Sequence, residues 1–120
     1  MFREIISKAH VYVDLMNPGP GTRYFSPLVN TYLHDANPEM VKRVIDIAKA
    51  FGTKIITDTR KMPWVKGHRA ASEATAKGIP AIHSIGGEGE GKKITEEYVE
   101  SHVRGITNIM KHLNMIDCSI

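Results

Sequence analysis

Three groups of residues in this 120-residue chain have types and spacings that could do chemistry. Gly86 to Lys92, reading GGEGEGK, satisfies the GxxxxGK opening of a phosphate-binding loop. Such a loop aims backbone N–H groups at phosphate and follows its lysine with a hydroxyl for Mg²⁺. Here Lys93 stands in the hydroxyl position, while Glu88 and Glu90 place two carboxylates where the anion would sit. A turn between a buried strand and a helix is the stronger reading of these glycines. Asp14, Asp58 and His83 form the second group, each near the end of an expected strand, and are a candidate set for a divalent metal. The competing reading makes the two aspartates loop caps and His83 a hydrogen-bonded core residue. Third, Arg23, Arg60 and Arg69, with Lys92 and Lys93, could line the same end of a sheet and attract a carboxylate or phosphate. Solvated surface charge is the alternative there.

These residues need elements to hold them. Phe2, Ile5, Ile6 and Ala9 recur at helical spacing, and "VYVDLM" then reads as a strand stopped by "NPGPG". Thr22 to Ala36 shows no sustained period and reads as an ordered excursion with one short strand at most. Asn37-Pro38-Glu39 is a helix start, with a side-chain acceptor, a fixed backbone angle and a negative charge in order. Met40, Val41, Val44, Ile45, Ala48 and Phe51 form its expected buried stripe, and Gly52 its left-handed exit. "KIITDT" is a second strand. A loop through Trp64 follows, with Trp64 as a lid over a pocket or, more simply, a plug for the core. A helix is expected from about Gly67 to Lys77, ended by Gly78, and "IPAIHSI" is a third strand. Thr95 caps a last helix whose expected stripe is Val99, Val103, Ile106, Met110 and Leu113, with Asn114 as its exit.

Strand and helix alternate, which favours an α/β three-layer sandwich: a mostly parallel sheet flanked by helices. Residues 1–120 read as one such domain. Ligands in these sheets gather beyond the carboxyl ends of the strands. That rule brings together the "DLMNPGPGTR", "TDTRKMPW" and "HSIGGEGEGKK" loops.

Composition narrows the function classes. With 42% hydrophobic and 24% charged residues the chain suits a compact fold, and a net charge of +3 scattered among acids argues against a nucleic-acid surface. Apolar runs are short and the first ten residues carry Arg3, Glu4 and Lys8, so a cytoplasmic protein without a membrane segment is expected. The lone cysteine, Cys118, excludes an internal disulfide and reads as a free tail thiol.

Taken together, "GIPAIHSIGGEGEGKKITEEYVESHVRGITNIMKHLNMID" at 78–117, "GHRAASEATAKG" and "EIISKAHVYVDLM" resemble the end of the catalytic domain of the succinylglutamate desuccinylase/aspartoacylase family. The resemblance implies a truncated zinc-carboxypeptidase-like fold. It also implies a chemistry in which Zn²⁺, held by an HxxE pair and a later histidine, activates water while a glutamate moves the proton, cleaving an N-acyl amino acid. None of His10, His34, His68, His83, His102 and His112 is followed by glutamate at the third place. The later histidine's position holds Met16, a poor Zn²⁺ ligand, and the glutamate's position holds Ser84, in a strand that is one residue short.

The expectation is therefore a reduced, non-catalytic relative of these hydrolases, a pseudoenzyme without a cofactor that binds a small acidic ligand. Its candidate ligand-binding residues are Asp14, Arg23, Asp58, Arg60, Arg69, His83 and Lys92. Two other readings compete: the scaffold half of an active zinc amidohydrolase whose HxxE pair comes from another polypeptide, and a small phosphate-binding module using the glycine loop. Lacking the preceding strands of its relatives, the chain should expose a strand edge and an apolar face, which predicts a homo-oligomer.

Overall fold

A computed structural model describes residues 3–18, 23–67, 69–88 and 96–119, with the backbone alone described at 23–26, 87 and 88. A single turn of 3-10 helix at Ile6–Lys8, shorter than the helix expected at the start, leads into β1, Tyr12–Met16. Then come β2 at Arg23–Thr31, α1 at Pro38–Phe51, β3 at Ile55–Asp58, a second 3-10 turn at Pro63–Val65 and α2 at Ala70–Ala76. β4 at Ala81–Glu88 and α3 at Glu96–His112 complete the described chain. The four strands lie in the order β1-β4-β2-β3. β1 runs parallel to β4 and β2 parallel to β3, while β2 and β4 are antiparallel.

The long central strand β2 occupies the stretch expected to be mostly irregular. Pro27 explains why no strand pattern is visible there. The β2–β4 register shifts between Tyr24 and Leu28, and a proline in a central strand is tolerated at such an irregularity because no ladder hydrogen bond is asked of it. Val29 and Thr31 are fully buried and Leu28 and Asn30 half-buried, so both faces are covered and alternation is lost. β4 likewise runs past its expected end, through Gly86 and Gly87 to Glu88. A Cβ at Gly86 would stand 3.3 Å from the Pro27 backbone and 3.4 Å from the Tyr98 ring, so glycine permits the close approach of β2 and α3.

Helices cover both faces. On one, Val29 and Ile82 pack with Val44, Ile47 and Phe51 of α1 and Ile109 of α3. On the other, Tyr32 and Ala81 pack with Ala71 and Ala74 of α2. The start of α1 is as its sequence requires: Asn37 accepts a hydrogen bond from the Met40 N–H at 2.8 Å, and Gly52 leaves the helix at φ +90°. Ile47 joins its buried stripe, which Val41 and Ile45 only flank. α2 begins three residues later than expected because Gly67 sits at φ +73° in a turn, its N–H donating to Ser72 Oγ at 3.0 Å. Asn114 makes the expected left-handed exit from α3 at φ +56°.

α3 is rotated from its expected face. Gly105 and Ile109 are its buried residues; of the expected stripe Ile106 packs against the core and Met110 is half-buried, whereas Val99, Val103 and Leu113 are exposed. The reason is the absent side chain at Gly105, which lets the helix settle onto the Phe51 ring. A count of apolar residues cannot register that. Among the described residues no helix is long and apolar enough to cross a membrane.

Candidate functional site

Strand register lays four polar residues in one line across the sheet. Asp14 of β1 pairs with His83 of β4, His83 with Asn30 of β2, and Asn30 with Thr57 of β3. All four face the α2 side, because His83 follows Ala81 at the two-residue period that keeps side chains on one face. Residues 59–67 and Arg69 roof this row, with Thr59, Met62, Val65 and Arg69 turned toward it. Thr59 anchors the roof, its N–H and hydroxyl both donating to the Thr31 carbonyl at 3.3 and 2.8 Å, and Met62 N–H donates to the Thr59 carbonyl at 2.8 Å. Lys66 adds an ion pair with Asp35.

Between sheet and roof lies a cavity of about 330 Å³, lined by Asn30, Tyr32, His83, Met62, Val65 and Arg69 among others. Its size is that of a small-molecule site. His83 is 2% exposed, and its Nδ1 stands 3.0 Å from the Tyr32 hydroxyl, with the two rings stacked. Burial pushes the imidazole pKa down, against an opposing pull from Asp14, while Arg69 lowers it further. The ring is therefore neutral near pH 7. A neutral ring that accepts the Tyr32 hydroxyl proton at Nδ1 carries its own hydrogen on Nε2. That Nε2 is buried without a partner among the described residues. Burial likewise raises the Tyr32 phenol above its ordinary value, with Arg69 opposing it, so Tyr32 stays protonated.

The sequence candidates distribute unevenly around this cavity. His83 and Arg69 line it, and Asp14 adjoins His83 in register. Asp58 does not join them: it pairs with Thr31 one residue further along β3, on the opposite face, and its carboxylate is occupied by Arg60 at 2.5 to 3.1 Å. That ion pair holds Asp58 below the usual carboxylate range. The candidate metal set Asp14, Asp58 and His83 is thus divided between two faces and spread over three strands, the edge strands β1 and β3 and the inner strand β4. Only the backbone of Arg23 is described, paired with Glu88, and Lys92, Lys93, Glu90 and Thr95 lie outside the described residues. Trp64 is 68% exposed, which overturns its reading as a core plug and places it on the roof.

Asn30, Tyr32 and Thr57 were missed by sequence reasoning. The signal that could have found two of them is the alternation Asn30, Tyr32 across the end of a strand masked by Pro27.

The donor chemistry of the zinc positions can be tested against the geometry. Met16 lies on the α2 face, with the Arg69 guanidinium 4.0 Å from its sulfur. Ser84 follows Ile82 onto the α1/α3 face, where it is fully buried and its Oγ lacks a partner among the described residues. Met16 and Ser84 are thus on opposite faces of the sheet, as side chains one residue out of step along paired strands must be. Among the described residues no three His, Cys, Asp or Glu side chains are grouped to hold a metal. A thioether beside a guanidinium does not fit Zn²⁺.

No family model matches the sequence, and no curated protein matches it. The fold is similar to the crystal structure of a succinylglutamate desuccinylase/aspartoacylase from Rhodobacter sphaeroides, with a TM-score of 0.72 and 25% sequence identity. The likeness covers 94% of this chain, which spans 31% of that one. What the motifs around Gly78 and Val103 imply is matched in the backbone: this chain has the α/β fold of part of a succinylglutamate desuccinylase/aspartoacylase, a zinc-carboxypeptidase-like architecture.

Proposed function

We propose that this chain is a non-catalytic relative of the zinc-dependent N-acyl amino acid hydrolases, and that it binds a small carboxylate-bearing ligand in the cavity under the roof of Thr59, Met62, Val65 and Arg69. The observation that carries this reading is a single cavity lined by the Arg69 cation together with the polar side chains of Asn30, Tyr32 and buried His83. Arg69 is exposed at the rim, where a guanidinium offers a carboxylate a permanent charge and paired donors. Deeper in, His83 and the Asn30 amide line the cavity and suit an uncharged polar group such as an amide carbonyl.

Loss of catalysis follows from what the old roles now contain. Hydrolysis of an amide by this family's chemistry needs an activated water and a group that carries its proton. Met16 supplies no anionic or imidazole ligand, and the nearby Arg69 charge repels a divalent cation. Ser84 is turned away from the cavity face. His83 is on the correct face but is engaged with Tyr32.

Titration calorimetry with N-acetylglutamate, in the presence of a chelator, tests the reading. Saturable binding is expected, weakened about tenfold or more by Arg69→Ala through the lost charge-assisted hydrogen bonds. Absence of binding, or equal binding by the variant, would overturn it.

A further inference from the structure

The floor of the cavity under the roof is built from two rows of unlike chemistry. Beside the polar row, two residues along each strand, register lays a second row on the same face. Met16 of β1 pairs with Ile85 of β4, Ile85 with Leu28 of β2, and Leu28 with Ile55 of β3. Two residues along a strand span about 7 Å, so one small molecule can touch both rows. Ile85 and Leu28 line the same cavity as His83 and Asn30, and Met62 and Val65 add aliphatic surface from the roof. Leu28 is half-buried and keeps apolar surface that a ligand could cover. The Arg69 guanidinium, 4.0 Å from the Met16 sulfur, reaches the β1 end of this second row while also lining the cavity with His83 and Tyr32. A carboxylate held there lies beside both rows.

We propose that the ligand of this cavity is the N-acyl derivative of an uncharged, aliphatic amino acid, whose side chain lies on Leu28 and Ile85. This deepens the carboxylate-binding reading of the cavity and rests on it. With the α-carboxylate on Arg69 and the amide against His83 and Asn30, the amino acid side chain is the group left to meet the second row. An aliphatic side chain gains there by leaving water, and burying a group the size of leucine is worth about tenfold or more in affinity. A carboxylate in the same place meets Leu28 and Ile85, which have no hydrogen to donate in return for its lost hydration. The polar row accepts the ligand's common part, and the apolar row selects among side chains.

Titration calorimetry comparing N-acetylleucine with N-acetylglutamate, with a chelator present, tests the proposal. N-acetylleucine is expected to bind tighter by about tenfold or more. Leu28→Ala should remove most of that preference by weakening N-acetylleucine while N-acetylglutamate keeps its affinity, with circular dichroism reporting the fold. Should that variant unfold, Ile85→Ala carries the same expectation. Equal binding of the two compounds, or tighter binding of N-acetylglutamate, overturns the choice of ligand class and leaves the carboxylate site standing. Binding of neither compound overturns both. A preference for N-acetylleucine that neither substitution reduces puts the aliphatic group elsewhere, and that also overturns the proposal.

Discussion

Phe51 occupies the space that a side chain at position 105 would need: a Cβ there would stand 2.4 Å from Cε2 and Cζ of the Phe51 ring. The contact joins α1 to α3 and decides which face of α3 is buried, leaving Val99 and Val103 outside.

Gly105→Ala should therefore destabilise the protein, although in an exposed helix the same change stabilises by about 1 kcal/mol. Overpacking against a buried ring costs about 1 to 3 kcal/mol. Urea denaturation measures the sign. Phe51→Leu in the Gly105→Ala background should recover part of that loss, because the smaller side chain vacates the colliding atoms.

The same glycine shows where sequence reading stops. Local signals were legible where one residue sets the geometry: the Asn37 cap, the left-handed exits at Gly52 and Asn114, and the β-branched run of β3. The alternation of strands and helices and the motifs from Gly78 to Asp117 were enough for the fold. Illegible were features that depend on a distant partner. α3 kept Ile106 of its expected stripe against the core but turned Val99, Val103 and Leu113 outward because of Phe51, some fifty residues away in sequence. β2 hid its alternation behind Pro27 and double-sided burial. For the site, Arg69 and His83 were named from chemistry, but the row that joins Asp14 to His83, Asn30 and Thr57 exists only through strand register.

Stability should fall on acidification through the range where histidine ordinarily titrates. Burial lowers the His83 and His102 pKa values in the folded state, so the unfolded chain binds more protons as pH drops below about 6.5. Their contribution is complete above that value and is lost as pH falls toward the folded pKa values. The melting temperature should accordingly decline between about pH 7 and pH 5. His83→Gln should flatten the decline and leave the share due to His102. A melting temperature that is constant or rises over this interval would contradict the assignment.

Trp64 is the chain's single tryptophan and sits exposed on the roof, next to Val65 and near Met62 of the cavity wall. Its fluorescence should peak at a solvent-like wavelength in the free protein and shift to the blue when N-acetylglutamate enters the cavity. Trp64→Ala should change stability by no more than about 0.5 kcal/mol, as for other exposed positions. A blue-shifted emission in the free protein, or a loss of several kcal/mol, would return Trp64 to the core.

The most direct measurement follows the acetyl methyl proton signal of N-acetylglutamate by NMR with protein and added zinc, then again with chelator. Binding without turnover predicts a methyl line that broadens with the wild-type chain under both conditions and sharpens with Arg69→Ala, while no acetate accumulates. Acetate that grows in with zinc and stops with chelator would show a working metallohydrolase and contradict the account at its centre.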